Sequence, residues 1–257
     1  MCLRLSTRGG RRAPALRQSV RIAYPSPRLH LALGMSVRLR GRRGHDFLGK
    51  DRTMPYATAN GVRLFYEQLG DGEPIVLIPG LGLDHTYFRY AIPELSKHFR
   101  VIAYDQRGTG QSDRPQEAYT ARLWADDLEG LLASLGIGQA HVVGSSLGGC
   151  VALELLRSAP HLAKTLILVA AFSELDRALE TNFRMRIAMV EQGGMGGIIR
   201  DHVLLWTLWR EFIETDRGKQ AAEGLLAGLS KNDPKLYAEF LTWKIHERLE
   251  LKRRDDG

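Results

Sequence analysis

His141-Val142-Val143-Gly144-Ser145-Ser146-Leu147-Gly148-Gly149-Cys150-Val151-Ala152-Leu153-Glu154 decides how this chain is read. An apolar run enters Gly-Ser-Ser-Leu-Gly, and a helical pattern leaves it. Residues 144–148 match G-x-S-x-G, a nucleophile elbow. In such a turn the reversal from strand to helix is so tight that its central residue takes a strained backbone conformation. That lifts the Ser146 Oγ clear of the main chain. Side chains two positions to either side would collide, so Gly144 and Gly148 are required there. A helix starting at Leu147 aims free N–H groups and the positive end of its dipole at the serine. Plain Gly-Ser turns share the same letters, so the surrounding segments carry weight.

Upstream, the pattern is β. Val62–Glu67 alternates after an Asn60-Gly61 turn, as in a hairpin. Pro74–Pro79, Phe99–Asp105, Ala140–Val143 and Thr165–Ala170 are continuous apolar runs, which implies a parallel sheet buried on both faces. Helical segments are expected at Thr86–Lys97, Tyr119–Leu135 and Leu147–Ser158. This alternation predicts an α/β fold: a mostly parallel open sheet flanked by helices. After Ala171 no strand is evident. Helical stretches continue, broken at Gly193–Gly197, with a dense apolar helix over Val203–Trp209 and Phe212-Ile213.

In open α/β sheets, ligands sit beyond the carboxyl ends of the strands. Gly80-Leu81-Gly82 follows one such end. With the Leu147 N–H, the Leu81 N–H would complete an oxyanion hole; an ordinary glycine turn is the plain alternative. Asp105-Gln106-Arg107-Gly108-Thr109-Gly110-Gln111-Ser112 follows another strand, and a structural Asp105–Arg107 pair is expected there. It lacks the spacing of a phosphate-binding loop.

These three segments, in this order, resemble the α/β-hydrolase superfamily. Residues 56–172 are similar to its capped members, such as enol-lactonases and carboxylesterases. The resemblance implies Ser146 as nucleophile, the Leu81 and Leu147 N–H groups as oxyanion hole, and no cofactor. Pro79 stands where the family often has His, a loop-shaping position. The family also continues past its cap into two strands that carry the acid and the catalytic His. The charged helix-like segment Ile245–Arg254 reaches the last residues here, so the pattern places neither group on this chain. A truncated, weakly active or inactive chain is expected. Among the remaining histidines, His85 is nearest in sequence to the oxyanion turn and reads as a pocket or helix-start residue. Asp176 and Glu174 are candidate acids.

Composition narrows the partners. The 257 residues suit one domain carrying an insertion, and 44% hydrophobic with 25% charged residues places the chain among globular proteins. The net charge of +7 is misleading. Residues 1–53 hold 13 Lys+Arg and 2 Asp+Glu, whereas residues 54–257 hold 23 and 27. The body is therefore mildly acidic, and nucleic-acid binding by it is not expected. No apolar run is long enough for a membrane span. Cys2 and Cys150 form no disulfide framework or metal spacing, so no metal is expected and a reducing, cytoplasmic location fits. Cys150 reads as a small packing residue.

The expected organisation is thus a disordered basic tail at 1–53, an α/β core at 54–172, and a helical cap with the C-terminus at 173–257. The tail is either non-native sequence before a start at Met54, an organelle leader, or a polyanion-binding arm. The expected partner is a small apolar ester or lactone, with Trp206, Trp209 and Phe212 as pocket or packing residues. Alternatives on the same scaffold are a non-catalytic ligand-binding protein, or a cofactor-free haloperoxidase or acyltransferase. No oligomeric state is readable.

Overall fold

A computed structural model describes residues 20–23 and 56–255. Strand β1 (Val20–Ala23) comes first. A hairpin follows, β2 (Tyr56–Ala59) and β3 (Val62–Leu69), joined by Asn60-Gly61 with φ of 47° and 79°. Positive φ at both turn residues matches the right-handed twist of the paired strands. Four strands then form the centre: β4 (Glu73–Ile78), β5 (Phe99–Tyr104), β6 (Ala140–Ser145) and β7 (Ala163–Val169).

The spatial order is β1-β7-β6-β4-β5-β3-β2. Strands β2 and β3 are antiparallel to their neighbours, and every other pairing is parallel. Sequence alternation decides which side chains each face buries. Val76, Ile78, Ile102, Tyr104 and Val142 meet helices α2 (Ala121–Ser134) and α3 (Leu147–Ser158) through Trp124, Leu128, Leu131, Val151 and Leu155. Ile75, Leu77, Val101 and Ala103 face the other way, against Phe88, Ile92 and Leu95. Each fully buried aliphatic side chain contributes about 1.5–3 kcal/mol.

Two expectations are corrected here. The helix expected at Thr86–Lys97 is instead a 3₁₀ turn, His85–Phe88, and one short helix, α1 (Ile92–Leu95). Pro93 lies in the first turn of α1 and lacks the N–H that would join the two pieces. Within the tail expected to be disordered, Val20–Ala23 is a strand parallel to β7, in register from Val20↔Leu166 to Ala23↔Val169. The rest of 1–53 lies outside the described residues.

Beyond β7 the described chain is helical: α4 (Arg177–Gly193), α5 (Ile198–Thr207), α6 (Arg210–Ile213), α7 (Asp216–Leu229) and α8 (Pro234–Asp255). The continuous apolar helix expected through Phe212 is broken. Helix α5 ends at Thr207, and Leu208 and Trp209 are extended. Helix α8 seals the core through Leu236, Tyr237, Phe240, Leu241 and Ile245, with the Phe240 ring 4.9 Å from Trp124. Among the described residues, no helix is long and apolar enough to cross a membrane.

Candidate active site

Strand β6 delivers Ser145 to the carboxyl end of the sheet, and the chain then turns directly into α3. Ser146 sits in that turn at φ 51° and ψ −116°. This conformation costs a non-glycine residue about 1–3 kcal/mol, so the surroundings must impose it. They do so at close range. The Ser146 N–H donates to the Val169 carbonyl at 2.9 Å, and the Gly149 N–H to the Ser146 carbonyl at 2.9 Å. A Cβ on Gly144 would lie 2.4 Å from the Gly148 oxygen, and one on Gly148 would lie 2.2 Å from the Ile78 oxygen. Both elbow glycines are therefore fixed by sterics.

The turn after β4 approaches the serine. A Cβ on Gly80 would be 3.4 Å from the Ser146 Cβ. The Leu83 N–H closes this turn on the Gly80 carbonyl at 3.1 Å. Three side chains tie it down. Gln106 donates to the Pro79 carbonyl at 3.2 Å, and Asn232 donates to the Gly82 carbonyl at 2.7 Å. Asp105, fully buried, accepts from the His85 N–H at 2.7 Å. Leu147 is the first residue of α3, where a backbone N–H has no acceptor within the helix. The turn that carries Leu81 and the first residue of α3, Leu147, thus both lie next to the serine.

His85 opens the 3₁₀ turn, the helix-start alternative of the sequence reading. It is buried, its Nδ1 is 2.7 Å from Asp105 Oδ1, and its Nε2 is 3.7 Å from Glu67. Burial alone would push the imidazole pKa down. The Asp105 hydrogen bond and charge, with Glu67 and Asp84, outweigh this and raise it above the ordinary value. Both ring nitrogens face carboxylates, so His85 does not serve as a base for Ser146. Among the described residues, no histidine is hydrogen-bonded to Ser146. His141 is held by Thr165 and Glu73 at the start of β6, and His202 contacts Asn182. Asp176 caps α4 through the Leu179 N–H, and Glu174 is exposed.

The expected Asp105–Arg107 pair does not form. Asp105 also accepts from the Gln111 N–H at 2.7 Å, while Arg107 makes a two-pronged pair with buried Asp127 and a further contact to Glu117. Spacing within one loop suggested the wrong partner, because Asp127 arrives from α2. Cys150 is buried with its thiol toward the Phe172 carbonyl at 3.3 Å, and burial pushes its pKa up to about 11. Among the described residues, no group of His, Cys, Asp and Glu could hold a metal ion.

A cleft of about 750 Å³ opens beside the elbow. Ser145 and Val169 from the sheet, Tyr87 and Phe88 from the 3₁₀ turn, and Leu208, Trp209, Phe212 and Leu225 line it. Its walls are mainly apolar, as in small-molecule sites generally. At its sheet end the Tyr87 and Ser145 hydroxyls share a hydrogen bond of 3.2 Å. Trp209 and Phe212 are among the residues lining this cleft. Trp206 is not: it is 58% exposed and lies against the His202 ring. The break at Leu208 turns Trp206 and Trp209 to different sides.

A family profile described as alpha/beta hydrolase fold matches residues 73–202, just over half of the chain and all of the elements around Ser146. The chain belongs to the α/β-hydrolase family. This α/β hydrolase is 33% identical over 147 residues to RutD of Azorhizobium caulinodans, provisionally named a carbamate hydrolase; the match covers 57% of this chain and 56% of RutD. The chain thus spans little more than half the length of that curated relative. Among solved structures, a thermophilic esterase from Thermogutta terrifontis has a TM-score of 0.66 at 27% identity, covering 76% of this chain and 71% of the esterase. The enol-lactonase from Burkholderia xenovorans LB400 has a TM-score of 0.65 at 28% identity, covering 72% and 71%.

Proposed function

We propose that this α/β hydrolase cleaves a carboxylic ester or lactone through Ser146. In this reading the Ser146 Oγ attacks the carbonyl carbon, and the Leu81 and Leu147 N–H groups receive the negative charge on the carbonyl oxygen. The tetrahedral species collapses as its C–O bond breaks, the leaving oxygen takes up the proton given up by Ser146, and the alcohol departs from an ester or stays tethered to the acyl group of a lactone. Water then hydrolyses the acyl-serine bond, giving the acid and restoring the Ser146 hydroxyl. The helices after β7 act as a cap, and the apolar cleft beside Ser145 takes the acyl or ring portion. The observation that carries the reading is the strained φ of Ser146, imposed from all sides at the head of α3.

Proton transfer sets the rate. With no imidazole on Ser146 among the described residues, catalysis rests on the oxyanion donors and binding, which supply roughly 10³–10⁴-fold over water. The expected activity is slow turnover of activated esters, without a cofactor. A fluorophosphonate probe tests the reading. Labelling of the wild-type chain that is lost in Ser146→Ala supports it; absence of labelling, or labelling that survives Ser146→Ala, overturns it.

A second reading, a ligand-binding protein on the same scaffold, draws on the same absent imidazole and on β1. Strand β1 covers the outer side of β7, the edge that would otherwise expose unpaired backbone groups. This reading predicts saturable binding of an apolar ester with no hydrolysis and no labelling of Ser146.

A further inference from the structure

The cleft beside Ser145 is apolar along most of its length but carries two arginines, Arg89 and Arg217. They come from opposite sides, Arg89 directly after the 3₁₀ turn and Arg217 from α7. Both converge on one ring. The Arg89 Cζ lies 4.6 Å from the Tyr90 centroid and the Arg217 Cζ 5.2 Å from it. Two like charges gathered around one tyrosine ring favour an anion close by.

Among the described residues Arg217 has no hydrogen-bond or salt-bridge acceptor, and Arg89 holds only weak ones. Arg89 reaches only the Thr86 and Gln220 carbonyls, each at a long 3.4 Å. Among the described residues, neither arginine is within salt-bridge distance of a carboxylate. The two acidic residues on the cleft wall do not neutralise them. Asp84 is engaged by the Thr86 N–H and hydroxyl, and Glu211 lies exposed on α6. Helix α7 makes room for the Arg89 head: a Cβ on Gly224 would lie 2.7 and 2.8 Å from its two terminal nitrogens. The planar five-donor fork of arginine matches a carboxylate in geometry as well as charge.

We infer that Arg89 and Arg217 form an anion subsite, and that the substrate is an apolar ester or lactone that also carries a carboxylate. This rests on the reading of Ser146 as nucleophile with the cleft as its acyl site. The carboxylate pairs with the guanidinium donors at the Tyr90 end of the cleft, and the apolar chain runs toward Ser145 and Val169. A neutral ester of the same size fills the apolar wall but leaves both arginines unpaired.

The test compares hexanoate with its neutral isostere hexanamide, by calorimetry at low salt on the full chain. Hexanoate is expected to bind at least about tenfold more tightly, and the preference is expected to fall to within about twofold in Arg217→Gln and in Arg89→Gln. Arg217 is exposed, so that variant keeps its fold, and Glu211→Gln is expected to strengthen hexanoate binding. Equal binding of the two probes, or a preference that survives both arginine variants, overturns the inference. A fluorophosphonate competition arm separates the two claims. Labelling of Ser146 that hexanoate slows supports both. Labelling that bound hexanoate leaves unchanged disconnects the subsite from the serine and overturns the substrate assignment. If Ser146 is not labelled at all, the hydrolase reading fails, and with it the substrate assignment. The calorimetry alone then decides whether Arg89 and Arg217 form an anion site.

Discussion

Asn232 donates its side-chain amide to the Gly82 carbonyl at 2.7 Å, joining residues 150 positions apart. Gly82 directly follows Leu81, so the turn between α7 and α8 holds the loop that carries a proposed oxyanion donor. The same amide also contacts the Leu229 carbonyl at 2.8 Å, which anchors it to the end of α7. Loss of one hydrogen bond of this kind is worth about 0.5–1.5 kcal/mol. Asn232→Ala is expected to slow fluorophosphonate labelling of Ser146 by about 3–10-fold while leaving most of the native stability. Stopped-time labelling measures this, and an unchanged rate would show that the turn holds its shape without Asn232.

The elbow glycines make a steric prediction. Alanine at 148 must displace the Ile78 carbonyl, 2.2 Å from the new Cβ, and alanine at 144 must displace the Gly148 carbonyl. Both obstacles are backbone, so relief requires movement of a strand or of α3. Each substitution is expected to cost about 2 kcal/mol or more, which lowers the Tm by about 4–8 °C in a chain of this size. Thermal unfolding followed by circular dichroism checks it; a Tm within a degree of wild type would contradict the packing described.

Arg107 and Asp127 lock the loop after β5 to α2. Removing one partner of a buried pair leaves the other without compensation, at about 3–5 kcal/mol. Asp127→Ala is expected to be among the most destabilising single changes in the core, and Asp127→Asn less so, since it keeps a hydrogen-bond acceptor. Urea unfolding of the two variants decides the order. Equal, small losses would mean that Glu117 and solvent satisfy Arg107 unaided.

The His85–Asp105 pair predicts a pH dependence with a definite sign. The imidazole pKa is raised in the folded chain, so the protonated form stabilises the fold. That contribution is fully present below the unfolded-state value near 6.5 and is lost as pH rises through the folded-state value. The stability difference between wild type and His85→Asn is therefore expected to shrink as the pH rises above the ordinary imidazole value of 6.5. Denaturant titrations at several pH values measure it. A difference independent of pH would show that the pair acts only as a neutral hydrogen bond.

The amino-acid sequence by itself determined the parts of this protein that depend on local pattern. Apolar runs set β4 to β7, since each strand buries alternate residues on both faces. The Asn60-Gly61 and Gly144–Gly148 signals set the hairpin and the elbow, because few residues tolerate those backbone angles. Ser146 was legible for the same reason. Tertiary structure alone decided who meets whom. Asp105 turned from Arg107 to His85, Arg107 found Asp127 on another element, and Asn232 reached Gly82. A break at Leu208 placed Trp209 on the cleft wall and Trp206 against His202. Arg89 and Arg217 met on Tyr90 only when α7 folded back over the 3₁₀ turn. Such pairings depend on the direction of whole elements, and short-range spacing carries no record of that direction.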